Sequence, residues 1–150
     1  MEDLTAAFPE GLYKVRGRSF DGTVLVGSAK FTHDVPAPPT ITAPALAEEP
    51  EHPGKPVPRR GLVIDWERVT RTVDGAPVDI SGYEVIVTKE DHDDPHGFSQ
   101  PTYDVHVPAA VTALSVAPEF LEADTVYELE VLALEESGNQ TISAGFFLTD

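Results

Sequence analysis

Over its second half the chain keeps to a period of two. In "YELEVLAL", Tyr127, Leu129, Val131 and Ala133 take one parity while Glu128 and Glu130 take the other. Successive strand side chains point to opposite faces, so such a run has one apolar face to bury and one polar face to leave in water. The same rhythm sets Leu62, Ile64 and Trp66 against Val63, Asp65 and Glu67, and it aligns Tyr83, Val85 and Val87 in "GYEVIVT". It returns with Tyr103, Val105 and Val107 in "YDVHV" and with Leu114 and Val116 in "ALSVA"; "AGFFLT" closes the chain. Loops rich in Asp, Gly, Pro and Asn separate the runs: "TRTVDGAPVDISG", "EDHDDPHGFSQP", "ESGNQ". There is no long helical period. Short antiparallel strands with turn signals predict an all-β chain of two packed sheets.

Two segments precede this pattern. "LYKVRGRSF" and "TVLVGSAKF" flank Asp21-Gly22. An Asp-Gly pair between β-rich runs predicts a two-residue hairpin turn, whose two central residues take positive φ. The stretch "HDVPAPPTITAPALAEEPEHPGKPVPRR" then holds eight of the 14 prolines. That density forbids helix and central strand, so it predicts an extended linker running into an edge strand near Thr40 and Ile41. The chain divides accordingly into residues 1–35, a hairpin ending a preceding β-domain, and residues 36–150, a sandwich. A two-stranded hairpin is marginal alone. It needs the sandwich, a partner or another domain to pack against.

Tyr127 opens its strand six residues after Leu121. A tyrosine so placed, with its hydroxyl turned back to a nearby backbone, is the tyrosine corner of sandwich domains. Together with "PAPP" before the first strand, Trp66 in the second and "GYEV" at Gly82–Val85 in the third, it makes Pro36 to Asp150 resemble a fibronectin type III domain. The resemblance implies an immunoglobulin-like two-sheet antiparallel sandwich, here with an N-terminal β-hairpin. It further implies a non-catalytic module for spacing or protein–protein contact, part of a larger bacterial protein that is secreted, periplasmic or on the cell surface. The family's Arg-Gly-Asp integrin motif is absent, since "RGRSF" and "RRGLV" carry no Asp after Arg-Gly. Trp66, Tyr83 and Tyr127 read as core, each burying roughly 150–250 Å².

Charge narrows the partners. The net charge of −16 argues against nucleic acid, whose phosphates such a surface repels. The balance is uneven: residues 73–150 hold Lys89 against 16 acids. No apolar run approaches the roughly 18 residues that a membrane span requires, and Met1–Gly11 lacks the basic start and apolar core of a signal segment. With no cysteine there is no disulfide and no thiolate chemistry.

Candidate chemical sites are few. His92 and His96 bracket Asp93, Asp94 and Pro95, but the proline blocks the helix that would bring the two histidines together, and no third ligand is evident. The loop reads as solvated, with no metal and no cofactor. Asn139-Gln140-Thr141 is a glycosylation sequon on a loop. Phosphate-loop, nucleophile-elbow and dinucleotide fingerprints are absent, and no catalytic residue is assigned. The candidate site is instead a surface. If Tyr83 and Tyr127 face the core, the opposite parity exposes Ile86, Leu132 and Leu134. One of Phe146 and Phe147 joins them, and Phe147 is assigned to the patch. Glu84, Glu128 and Glu130 surround it. The patch predicts a protein partner, self-association, or the hairpin folding back to set Lys14, Arg16 and Arg18 against those acids. The alternative reading is a carbohydrate-binding accessory module, which needs a flat row of exposed aromatics. An enzyme working from the acidic loops is the remaining rival.

Overall fold

The structure, a computed structural model, describes residues 2–92, 95–96 and 100–150, with side chains from Thr5 onward. A six-residue helix α1 (Glu2–Ala7) is followed by β1 (Gly11–Arg18), β2 (Val24–Phe31), β3 (Ile41–Ala43), β4 (Val63–Trp66) and β5 (Ile80–Lys89). Then come β6 (Thr102–Pro108), β7 (Ala113–Ser115), β8 (Val126–Glu135) and β9 (Gln140–Leu148). Strands β3-β4-β7 form one antiparallel sheet and β6-β5-β8-β9 another, while β1 and β2 pair only with each other. The chain is therefore an all-β sandwich carrying a separate hairpin.

The period-two runs meet in one core. Ile64, Tyr83, Val85, Val87, Leu129, Val131, Ala133 and Phe147 have no exposed surface, and Trp66, Val116, Leu121 and Tyr127 have almost none. Tyr103, Val107 and Leu114 pack half-buried around them. The buried hydroxyls are satisfied. Tyr83 Oη accepts the Val69 N–H at 2.8 Å, and its ring meets the edge of Trp66 with centroids 5.4 Å apart. Tyr127 Oη accepts the Glu122 N–H at 2.8 Å and reaches the Phe120 carbonyl at 3.4 Å, the expected corner. Trp66 Nε1 is buried without a partner among the described residues.

The proline-rich stretch does more than connect. Ala47 exchanges two backbone hydrogen bonds with Phe146, at 2.8 and 2.9 Å. Further along, Val57 N–H donates to the Leu148 carbonyl at 2.8 Å, and Asp150 N–H donates to the Val57 carbonyl at 3.0 Å. The stretch thus runs along the outer edge of β9. Prolines cannot donate to a continuous ladder, so the edge is sealed by isolated bridges rather than by another strand. The expected edge strand is β3.

The hairpin forms where expected, but its turn differs. Gly22 N–H bonds the Ser19 carbonyl at 2.9 Å and Ser19 N–H bonds the Thr23 carbonyl at 2.9 Å, so the loop runs from Ser19 to Thr23. Only Gly22 takes positive φ (89°); Asp21 does not. Asp21 instead folds its carboxylate back to the Ser19 hydroxyl and to the Thr23 N–H at 3.0 Å. These bonds, the Ser19 hydroxyl first, hold its pKa down at about 2. A carboxylate that caps its own turn removes the need for a second residue at positive φ.

Candidate interaction surfaces

The outer face of the four-stranded sheet follows from register. Directly paired residues share a face. One row therefore reads His106, Glu84, Leu132, Ile142, and the next Asp104, Ile86, Glu130, Ala144. Beyond them Thr102, Thr88, Glu128 and Phe146 form a third row. The structure brings Glu84, Ile86, Glu128, Glu130, Leu132 and Leu134 together on this face.

Phe147 does not belong there. It is paired with Tyr127, whose ring it stacks upon with centroids 5.6 Å apart at 20°, and it is fully buried. The outward member of the pair is Phe146. Leu132 is also less available than its parity suggests. It is only 6% exposed, standing in the middle of its row between Glu84 and Ile142. Ile86 and Leu134 are half-buried, and Ile142, not foreseen, is the open apolar residue at 47%. The patch is thus narrower than parity predicts, and its acids Glu84, Glu128 and Glu130 are half-buried beside it. Where Gly82 leaves a gap between Pro108 and Leu134, the face carries a depression of about 430 Å³. A Cβ at Gly82 would stand 2.8 Å from the Val107 carbonyl oxygen, so no side chain fits there.

The acids of this face are largely uncompensated. Glu84 Oε1 lies 3.4 Å from His106 Nε2. Glu128 and Glu130 have no cation within ion-pair distance among the described residues. Burial, and then the neighbouring Glu130 charge, push the Glu128 carboxyl above its ordinary pKa. Lys89, the lone cation of the second half, is taken by Glu122 at 2.8 Å, a bond that raises the Lys89 pKa. Glu84, Asp104 and His106 bring three ligand atoms within 4.8 Å of one another. The signal for this cluster was Asp104-x-His106 on one strand opposite Glu84, visible only once register is known. Asp104 and His106 are exposed, while Glu84 between them is half-buried, its side chain 18% exposed.

Of the histidine-rich loop, Asp93 and Asp94 lie outside the described residues, and Asp91, His92, Pro95 and His96 are exposed. The sequon is engaged: Asn139 Nδ2 donates to the Thr32 carbonyl at 3.0 Å and to Thr32 Oγ1 at 2.9 Å. Thr32 Oγ1 also meets Ser137 Oγ at 2.7 Å, and Glu135 accepts the Ser137 N–H at 2.9 Å. This node ties the base of the hairpin to the β8–β9 turn.

Beyond the node the hairpin stands clear. Every residue of β1 and β2 is exposed. The expected fold-back onto the acidic sheet is therefore absent, and no ion pair joins Lys14, Arg16 or Arg18 to an acid among the described residues. Leu12, Val15, Leu25 and Val26 are 58–76% exposed, and Phe20 at the tip is wholly so. Register divides the ribbon into two unlike faces. Leu12, Lys14, Arg16 and Arg18 share one with Lys30, Ser28, Val26 and Val24. Tyr13, Val15, Leu25, Ala29 and Phe31 share the other, which carries no charge.

Among the described residues no helix is long and apolar enough to cross a membrane. No family model matches the chain, and no curated protein matches it.

Proposed function

We propose that this chain is a non-catalytic protein–protein interaction module of the fibronectin type III kind, in which a rigid sandwich presents a docking hairpin. The observation that carries the reading is the hairpin itself. A monomer rarely leaves apolar surface of this extent in water, and a two-stranded ribbon does not bury enough of its own to be stable. The three-plus-four division of the strands and the tyrosine corner support the family resemblance. The acidic sheet offers no paired carboxylates across a cleft for acid–base work. The sandwich offers the glycan-binding alternative no aromatic platform, because Trp66, Tyr83, Tyr127 and Phe147 are consumed by the core; the exposed aromatics Tyr13, Phe20 and Phe31 belong to the hairpin. A site on the surface, in the periplasm or outside the cell belongs to the same proposal and rests on the resemblance.

The test pairs a hydrophobic probe dye with a panel of oligosaccharides. The dye should bind the native protein and lose most of its binding in Leu25→Asp with Val26→Asp, while the oligosaccharides leave the amide spectrum unchanged. Dye binding that survives the double variant, or oligosaccharide-induced shifts on either sheet, overturns the reading.

A further inference from the structure

Two surfaces of this chain carry opposite charge in the same repeat, and among the described residues no lysine or arginine pairs with the acids of the one and no carboxylate with the cations of the other. Lys14, Arg16 and Arg18 stand at alternate positions of β1, with Lys30 on the same face of β2. Glu128 and Glu130 stand at alternate positions of β8, with Glu84 and Asp104 on the same sheet face. Alternate strand residues recur every ~6.6 Å, so both ladders have one spacing. The apolar residues also correspond: Leu12, Val24 and Val26 lie among the cations, and Ile86, Leu134 and Ile142 among the acids. Lengths match as well, eight residues in each hairpin strand against ten in β5 and β8.

The two surfaces do not meet within one chain. The Thr32–Asn139–Ser137 node holds the hairpin base at the β8–β9 turn, and the whole ribbon is exposed. We infer that they meet between two chains. The cationic face of one hairpin lies on the acidic outer sheet face of a second copy, which returns its own hairpin in the same way about a two-fold axis. This rests on the reading of the hairpin as a docking element and names its partner. The net charge of −16 on each copy opposes the association, so the local pairing of cations with acids must outweigh that repulsion. Each hairpin covers roughly 26 Å by 10 Å, so the two contacts bury roughly 1,000 Å² in total, the lower limit for a specific interface. The association is therefore weak and sensitive to salt. The uncharged face with Tyr13, Val15, Leu25 and Phe31 remains outside it.

Sedimentation velocity on charge-swapped chains tests the inference. One variant carries Lys14→Glu with Arg16→Glu; the other carries Glu128→Lys with Glu130→Lys. The wild type should reach the mass of two chains at about 100 μM and lose at least about tenfold in affinity between about 0.05 and 1 M salt. Each variant alone should be monomeric, with an unchanged circular dichroism spectrum as the check on folding. An equimolar mixture should recover the two-chain mass, because each acidic hairpin then meets a lysine-bearing sheet and each basic hairpin an acidic one. A monomeric wild type overturns the self-pairing while leaving dye binding by the hairpin, and with it the docking reading, intact. A dimer that survives both swaps moves the contact to the uncharged face and overturns the inference. A monomer that binds vesicles of anionic lipid assigns the cations to a membrane and overturns it too.

Discussion

The β1–β2 and β5–β8 pairs are built alike and end differently. Both are antiparallel, and both keep alternating parities along their ladders. In β8 the parity of Tyr127 is sealed against a second sheet, whereas in β1 both parities face water. The difference lies in what stands opposite. β5 and β8 have β4 and its Ile64 and Trp66 across the core, so their apolar residues are removed from water on one side. The hairpin has the same backbone bonds and no second layer. Backbone pairing by itself contributes little net stability, because water satisfies the same groups in the unfolded chain. A ladder shows that two strands match; a second layer decides whether they persist.

That contrast is most easily broken with aromatic side chains. Phe147→Ala should destabilise the sandwich by about 3–5 kcal/mol through the cavity left beside Tyr127, whereas Phe20→Ala, at a fully exposed tip, should leave the denaturant midpoint unchanged. Equal effects from the two would abolish the distinction between the regions. The boundary itself is sharpened by Asn139→Ala, which leaves Thr32 short of a partner at a nearly buried node and should cost about 1–3 kcal/mol. An unchanged urea midpoint would mean that the node does not hold the hairpin base. Tyr127→Phe removes the corner's hydroxyl and should cost about 1–2 kcal/mol, read from the urea midpoint.

The smallest effect concerns pH. The Glu128 carboxyl has a raised pKa in the folded chain, so its ionised form opposes folding. Its favourable contribution is complete below the unfolded pKa and is lost as pH rises through the folded one. Glu128→Gln should therefore match the wild type at about pH 3 and melt slightly higher at about pH 7. In the dilute monomer, a variant that melts lower at neutral pH would show that the carboxylate has a cationic partner within its own chain.

Much of the sandwich was legible because each buried strand has one apolar parity. Tyr83 and Tyr127 fix the inward set on β5 and β8, and the corner ties Leu121 to the same core. Elsewhere parity is silent. "GFF" offers two phenylalanines in succession, and only the pairing of Tyr127 with Phe147 decides which turns inward. Leu132, at 6% exposure, is far less open than its parity implies, and parity along one strand carries no information on what stands beside it on the next. The cluster of Glu84, Asp104 and His106 and the Thr32–Asn139 node are long-range coincidences that no local pattern encodes. Proline density predicted an irregular stretch but not that its few free N–H groups would close the edge of β9.

The hairpin has no second layer of its own, and every residue of its two strands is exposed. Hydrogen exchange of the dilute, monomeric protein tests this most directly. The amides of β5 and β8 should be protected to the level of global unfolding, and those of β1 and β2 should exchange close to the rate of an unstructured chain. Protection of β1 and β2 comparable to that of β8 in the dilute monomer would contradict the account, because the hairpin would then be stable without a partner.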